Sequence, residues 1–169
     1  IEEITKHQLN FGLIEATIHH PDMVIDPVMQ DELKLIVPIG HPLAERESVE
    51  LEEVLAYPFV LREKGSGTRQ VMESVLIHKG IDPQSLQTAM ELGSTGAVKS
   101  AVEAGFGITM LSPASVKHET ALNLLTIIPI RDAEFKRQFY AIHLKSTLLP
   151  LSAVTFLNFL KQQQEQQGE

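Results

Sequence analysis

Phe59-Val60-Leu61-Arg62-Glu63-Lys64-Gly65-Ser66-Gly67-Thr68-Arg69 is the stretch on which the reading of this chain turns. Tyr57-Pro58 leads into Phe59-Val60-Leu61, an apolar run of the kind a buried strand requires. A helix begins from Gly65-Ser66-Gly67-Thr68, and its apolar residues Val71, Met72, Val75 and Leu76 fall on one stripe before Lys79-Gly80 closes it. Strand, small hydroxyl-bearing turn and amphipathic helix together make half of a strand-helix-strand unit.

Outward toward the C-terminus the pattern repeats. An Asp82-Pro83 turn precedes a strand from Ala89 to Leu92, and Gly93-Ser94-Thr95-Gly96 opens a second helix with Ala97, Val98, Ala101 and Val102 inward. Gly105-Phe106-Gly107 ends that helix, and Ile108 to Leu111 is strand-like. Strands follow at Leu124–Ile130 and Phe139–Leu144, then a helix with Ala153, Phe156, Leu157 and Leu160 on one face. The Gln/Glu-rich tail from Lys161 to Glu169 has no apolar residue to bury and reads as disordered.

Outward toward the N-terminus, Leu51–Ala56 is a short acidic helix and Leu33–Val37 a strand ended by Pro38 and the Gly40-His41-Pro42 turn. Pro21-Asp22 and Asp26-Pro27 punctuate a loop, Phe11–Ala16 is a strand, and Ile1–Gln8 is the end of a helix. Alternating strands and helices predict an α/β fold with mostly parallel sheet. The block 58–110 is then one lobe, inserted in another built from 1–57 and 111–169, the two joined by two crossing strands. Leu35, Val37, Phe59, Leu61, Val75, Val102 and Ile108 are the predicted core.

Composition excludes several functions. The 169 residues carry 14 basic and 22 acidic side chains, a formal charge of −8 that repels phosphate backbones. The chain alone is therefore not a nucleic-acid reader. With no cysteine, thiolate catalysis and Cys-ligated zinc are excluded. No apolar run reaches the roughly 18 residues of a membrane span, so no membrane partner is expected. The seven histidines are scattered without helical pairing, and no metal or other cofactor is expected; the nearest approach to a ligand group is His19-His20 near Glu15.

The chemistry sits at the two glycine- and hydroxyl-rich helix starts. The first backbone N–H groups of a helix have no partner within it, and the helix dipole there favours negative charge. Ser66, Gly67 and Thr68 at one start, with Ser94 and Thr95 at the next, could therefore hold a small anion. The same serines could equally be helix caps that bind nothing. The Gly65–Thr68 run lacks the spacer and Gly-Lys of a P-loop and the third glycine of a dinucleotide fingerprint. Ser66 is not framed as Gly-x-Ser-x-Gly, which argues against an enzyme, and no catalytic residue is assigned. Arg69 could face an anion or lie on the surface, and the acids Glu45, Glu47, Glu50, Glu52 and Glu53 read as a solvated run.

The order of motifs resembles the effector-binding domain of LysR-type transcription regulators. Phe11-Gly12-Leu13-Ile14-Glu15, Leu33–Val37 and Gly40-His41-Pro42-Leu43 carry the first half of the resemblance. Phe59–Glu63, Gly65–Arg69, Ala97-Val98-Lys99 and Val102–Ile108 continue it in order over nearly the whole chain. The resemblance implies two Rossmann-like lobes similar to periplasmic binding proteins, with a small-molecule site between them. It places Ser66, Gly67, Thr68, Ser94 and Thr95 on that cleft, and Pro38-Ile39 where lobe-to-lobe connections pass. It implies a small, anionic effector, promoter DNA bound only through a separate N-terminal winged helix, a homodimer or homotetramer, and a cytoplasmic location. Against the family pattern the reading head and the first strand, helix and strand of the first lobe are missing, so that lobe is incomplete at its N-terminus. The subgroup resembles regulators of sulfur or carbon assimilation; an extracytoplasmic solute-binding protein of the same fold class is the alternative.

Overall fold

Met23–Pro38 forms one continuous strand of 16 residues, where the sequence suggests a loop followed by a short strand. The Asp26-Pro27 step does not break it, because a residue before proline is driven to extended backbone and proline only withholds a donor. This strand, β2, belongs to a computed structural model in which residues 1–15 and 19–167 are described. Ala16, the expected end of the first strand, lies outside the described residues.

In chain order the elements are α1 (Glu2–Thr5), β1 (Gly12–Ile14), β2 (Met23–Pro38), α2 (Leu51–Leu55), β3 (Phe59–Arg62) and α3 (Gly67–His78). There follow β4 (Thr88–Leu92), α4 (Thr95–Glu103), β5 (Thr109–Leu111), α5 (Lys117–Ala121), β6 (Leu125–Ile128), β7 (Phe135–Leu144) and α6 (Leu151–Gln167). Single 3-10 turns at Pro83–Ser85 and Pro113–Val116 complete the described elements. The chain divides into two compact units, residues 1–31 with 137–169 and residues 32–136. These bounds differ from the expected 58–110 and its flanks. Leu33, Leu35, Val37, Leu43, Val49, Leu51 and Val54 pack in one core with Phe59, Leu61 and Phe135, which draws both flanks into the central unit. The chain consequently passes between units at Asp31/Glu32 and Lys136/Arg137, before the Pro38-Ile39 segment is reached.

In unit 1 (1–31 and 137–169), β7 lies between β1 and β2 and runs antiparallel to β1, with Leu13 opposite Ala141. Alternation along these strands sends Met23, Ile142 and Leu144 to one face, where they cluster with Ile4 of α1. Val28 and Ala141 go into another, with Leu157 of α6. Beyond Lys161 the helix runs on to Gln167, against the expected disorder. Glutamine, lysine and glutamate are good helix formers, and extending an existing helix avoids the cost of nucleation.

In unit 2 (32–136), β2 is central, antiparallel to β5 on one side and to β6 on the other. Parallel pairing among the described residues joins β3 to β4, with single parallel bridges from Phe59 to Ile108 beside β5 and from Val49 to Ile130. The mostly parallel sheet expected from the sequence is therefore a mixed one, because β2 enters against the direction of its neighbours. Period-two alternation in β3 separates the faces: Phe59 and Leu61 pack on Met72 and Leu76 of α3, and Val60 on Val98, Ala101 and Val102 of α4. Six of the seven predicted core residues are at most 3% exposed, and Val75 is half-buried against the same core. Gly107 is where the backbone permits nothing larger, since a Cβ there would lie 2.4 Å from the Pro58 carbonyl oxygen.

Candidate functional site: the two helix starts of unit 2

The parallel pairing of β3 and β4 sets Arg62 opposite Leu92, so the turns that leave these two strands lie on the same edge of unit 2. Carboxyl ends of parallel strands are where α/β sheets present ligand-binding turns. The structure thus brings the Ser66-Gly67-Thr68 and Ser94-Thr95 turns together as neighbours. Gly65 has φ +94°, a left-handed backbone that glycine adopts without strain, and it turns the chain into α3.

Both serines are helix caps. Ser66 Oγ accepts from Arg69 N at 3.2 Å, and Ser94 Oγ accepts from Ala97 N at 3.2 Å. Ser66 is 9% exposed, whereas Ser94 is open to solvent. Capping uses one oxygen lone pair and leaves the hydroxyl proton able to donate, so a cap is also a potential anion donor. Gly67 and Thr95 occupy the first positions of α3 and α4, and Thr68 follows Gly67; all three are half-buried.

Sequence reasoning missed what binds these turns to one another. Arg62, the last residue of β3, donates from Nη1 to Thr95 Oγ1 at 2.8 Å. Its Nε and Nη2 fork onto the two carboxylate oxygens of Glu63 at 2.7 and 2.8 Å. The hydrogen bonds to Arg62 hold the Glu63 carboxyl below the usual carboxylate range. Arg69 is neither an anion hook nor a surface residue. Its side chain is 11% exposed and donates to Glu73, to Glu91 and to the Arg62 carbonyl, pinning the first turn of α3 to the ends of β3 and β4. Burial opposes charging Arg69, and its ion pairs with Glu73 and Glu91 more than offset that. An arginine ending a strand before a glycine turn is a visible signal, but nothing in one dimension says that it reaches residue 95.

Enclosed space here is small. Leu61, Arg62, Thr68, Arg69, Met72, Thr109 and Met110 line a cavity of about 10 Å³, no larger than one water molecule needs. This cavity by itself is too small to enclose a metabolite. Among the described residues no three His, Asp or Glu side chains converge as a metal-binding group. Glu15 is engaged by Arg137 at 3.0 Å, and the acidic run caps α2 through the reciprocal Glu50 and Glu53 hydrogen bonds.

A mixed α/β unit with paired helix starts at parallel strand ends defines a class of small-molecule binding folds. Within that class the profile of the LysR substrate binding domain matches residues 1–165, and the chain belongs to this family. It is 29% identical over 160 residues to the RuBisCO operon transcriptional regulator of Acidithiobacillus ferrooxidans, covering 95% of this chain and 51% of that protein. It is 33% identical over 142 residues to the HTH-type transcriptional regulator CysL of Bacillus subtilis, covering 84% of this chain and 46% of that protein. The chain thus spans about half the length of the curated relatives it matches. Among solved structures, the regulatory domain of Synechocystis PCC6803 CcmR in complex with 2-PG superimposes with a TM-score of 0.80 at 28% identity, over 96% of this chain and 77% of that one. The chain is an effector-binding domain of a LysR-type transcription regulator, as the order of its motifs suggests.

Proposed function

We propose that the effector is a small anionic metabolite, held on unit 2 by Ser66, Gly67, Thr68, Ser94 and Thr95. The observation that carries this reading is the adjacency of two hydroxyl-rich helix starts at the ends of the paired parallel strands β3 and β4. Unpaired N–H groups and hydroxyl donors there attract negative charge locally, so a chain of formal charge −8 can still hold an anion. The 2-PG bound to the similar CcmR domain supports the same chemistry.

The domain works in this proposal as a sensor rather than an enzyme. Its conspicuous serines act as caps, and the neighbouring charges are spent in Arg–Glu pairs. Promoter DNA is contacted by a part of the regulator other than this chain. The regulator assembles as a homodimer or homotetramer, and it acts in the cytoplasm. No helix among the described residues is long and apolar enough to cross a membrane.

The test is calorimetry with sulfate, phosphate and small carboxylates on the full chain, Thr68→Val and Ser94→Ala. Losing a charge-assisted hydrogen bond costs about 1.5–3 kcal/mol, so each variant should lose roughly ten-fold or more in affinity. Ser115→Ala, whose hydroxyl donates to the Ser112 carbonyl away from these turns, should bind as the parent does. If both site variants keep the parent affinity for every anion that binds, the residues are caps alone.

A further inference from the structure

A guanidinium offers a carboxylate or phosphate two edges on which paired hydrogen bonds form, the Nε/Nη2 side and the Nη1/Nη2 end. In Arg62 the Nε/Nη2 side is taken by the residue next to it in sequence. Glu63 fills both donors, while the remaining Nη1 reaches Thr95 on α4. The two partners differ in freedom. The Arg62 side chain is 19% exposed and held at Thr95, whereas Glu63 is 39% exposed and stands at the solvent side. Arg69, the neighbouring arginine, is fixed by Glu73, Glu91 and a backbone carbonyl and holds the turn in place. Of the two arginines, Arg62 is the one whose forked edge can be exchanged without dismantling the helix start.

We infer that Glu63 is a built-in stand-in for the effector: the ligand's carboxylate or phosphate takes the forked edge of Arg62, and Glu63 turns out into water. This rests on the anion reading of the Ser66–Thr68 and Ser94–Thr95 turns. Two oxyanions cannot share that edge, so binding is an exchange and the affinity measured is what is left after Glu63 has been displaced. Effectors with two or more oxygens on one centre complete the exchange, whereas anions presenting a single oxygen leave one donor unfilled. The internal carboxylate thereby sets both a concentration threshold and a preference for forked oxyanions. It also keeps Arg62 paired in the empty protein, where an isolated half-buried cation would be costly.

Inorganic phosphate is the probe, titrated by calorimetry into the full chain, Glu63→Gln, Arg62→Lys and Glu52→Gln. Glu52 is an exposed acid on α2, so its variant removes the same charge away from the fork. Glu63→Gln should bind phosphate about five-fold more tightly, the value of one partly exposed ion pair. Glu52→Gln should stay within two-fold of the parent, roughly the screened effect of one distant charge. Arg62→Lys keeps the charge but loses the fork, and should bind phosphate less well than the parent. Carbon-13 NMR supplies a readout that a purely structural role would not move: at phosphate saturation the Glu63 carboxylate signal should shift to the position of a solvent-exposed glutamate. Unchanged or weaker phosphate binding in Glu63→Gln overturns the inference, and so does an unmoved Glu63 signal at saturation. If either occurs while Thr68→Val and Ser94→Ala still lose affinity, the anion site stands and only the stand-in falls. If Thr68→Val and Ser94→Ala keep the parent's affinity as well, both fall.

Discussion

At the scale of single residues, burial and ion pairing decide what each position tolerates. Leu61 is 3% exposed and sits between β3 and α3, so Leu61→Ala should cost about 2–5 kcal/mol in a urea unfolding titration. Lys99 donates to Glu119 at 2.5 Å between α4 and α5 and also to the Ser115 carbonyl, and the hydrogen bond from Lys99 holds the Glu119 carboxyl below its usual range. A carboxyl whose folded value is depressed adds stability above the unfolded value, about pH 4.3, and loses it as pH falls through the folded value. Glu119→Gln should therefore flatten the acid limb of a stability-against-pH curve below that point and lower stability near neutrality. An acid limb as steep as the parent's would show that the Lys99 pair is not what holds that carboxyl.

Elements are governed here by their ends and by close approaches of backbone. Ser66 caps the twelve-residue α3 from a buried position, and Ser94 caps α4 from an exposed one. Removing a serine cap costs about 1 kcal/mol, and more when the freed N–H is shielded from water. Thermal unfolding should therefore rank Ser66→Ala as the more damaging of the two, and the reverse order would mean that the Arg69 pins rather than the cap hold α3. Gly107→Ala meets the Pro58 carbonyl, and the peptide it disturbs carries the Ile108 N to Pro58 O bond at 2.9 Å that ties β3 to β5. Forcing a methyl into that contact should cost about 1–3 kcal/mol, measured as a lower unfolding midpoint.

The molecule as a whole is acidic, and its charge is spread over both units. A formal charge of −8, with all five arginines held in ion pairs, disfavours contact with a phosphate backbone. Fluorescence anisotropy at physiological salt should show no sequence-specific DNA binding by this chain, and a saturable, sequence-dependent signal would refute that.

The amino-acid sequence by itself determined most strands and helices of the central unit, though not α5, and six of its seven predicted core residues as fully buried. Those features are local. Period-two and helical apolar spacing, Ser before a helix and Gly after it all act over a few residues, so Phe59–Leu61, Val71–Leu76 and Ser94–Val102 declare themselves. The order of such motifs also sufficed for the family, since each recurs at its place along the chain. Tertiary structure alone decided the rest. Only folding shows that β2 runs antiparallel to β5 and β6, which moves both flanks of the central block into unit 2. Strand direction is a long-range choice, set by which apolar faces meet, and local spacing carries no trace of it. The Arg62–Thr95 contact is of the same kind, because a hydrogen bond across 33 positions exists only once β3 and β4 have paired in register.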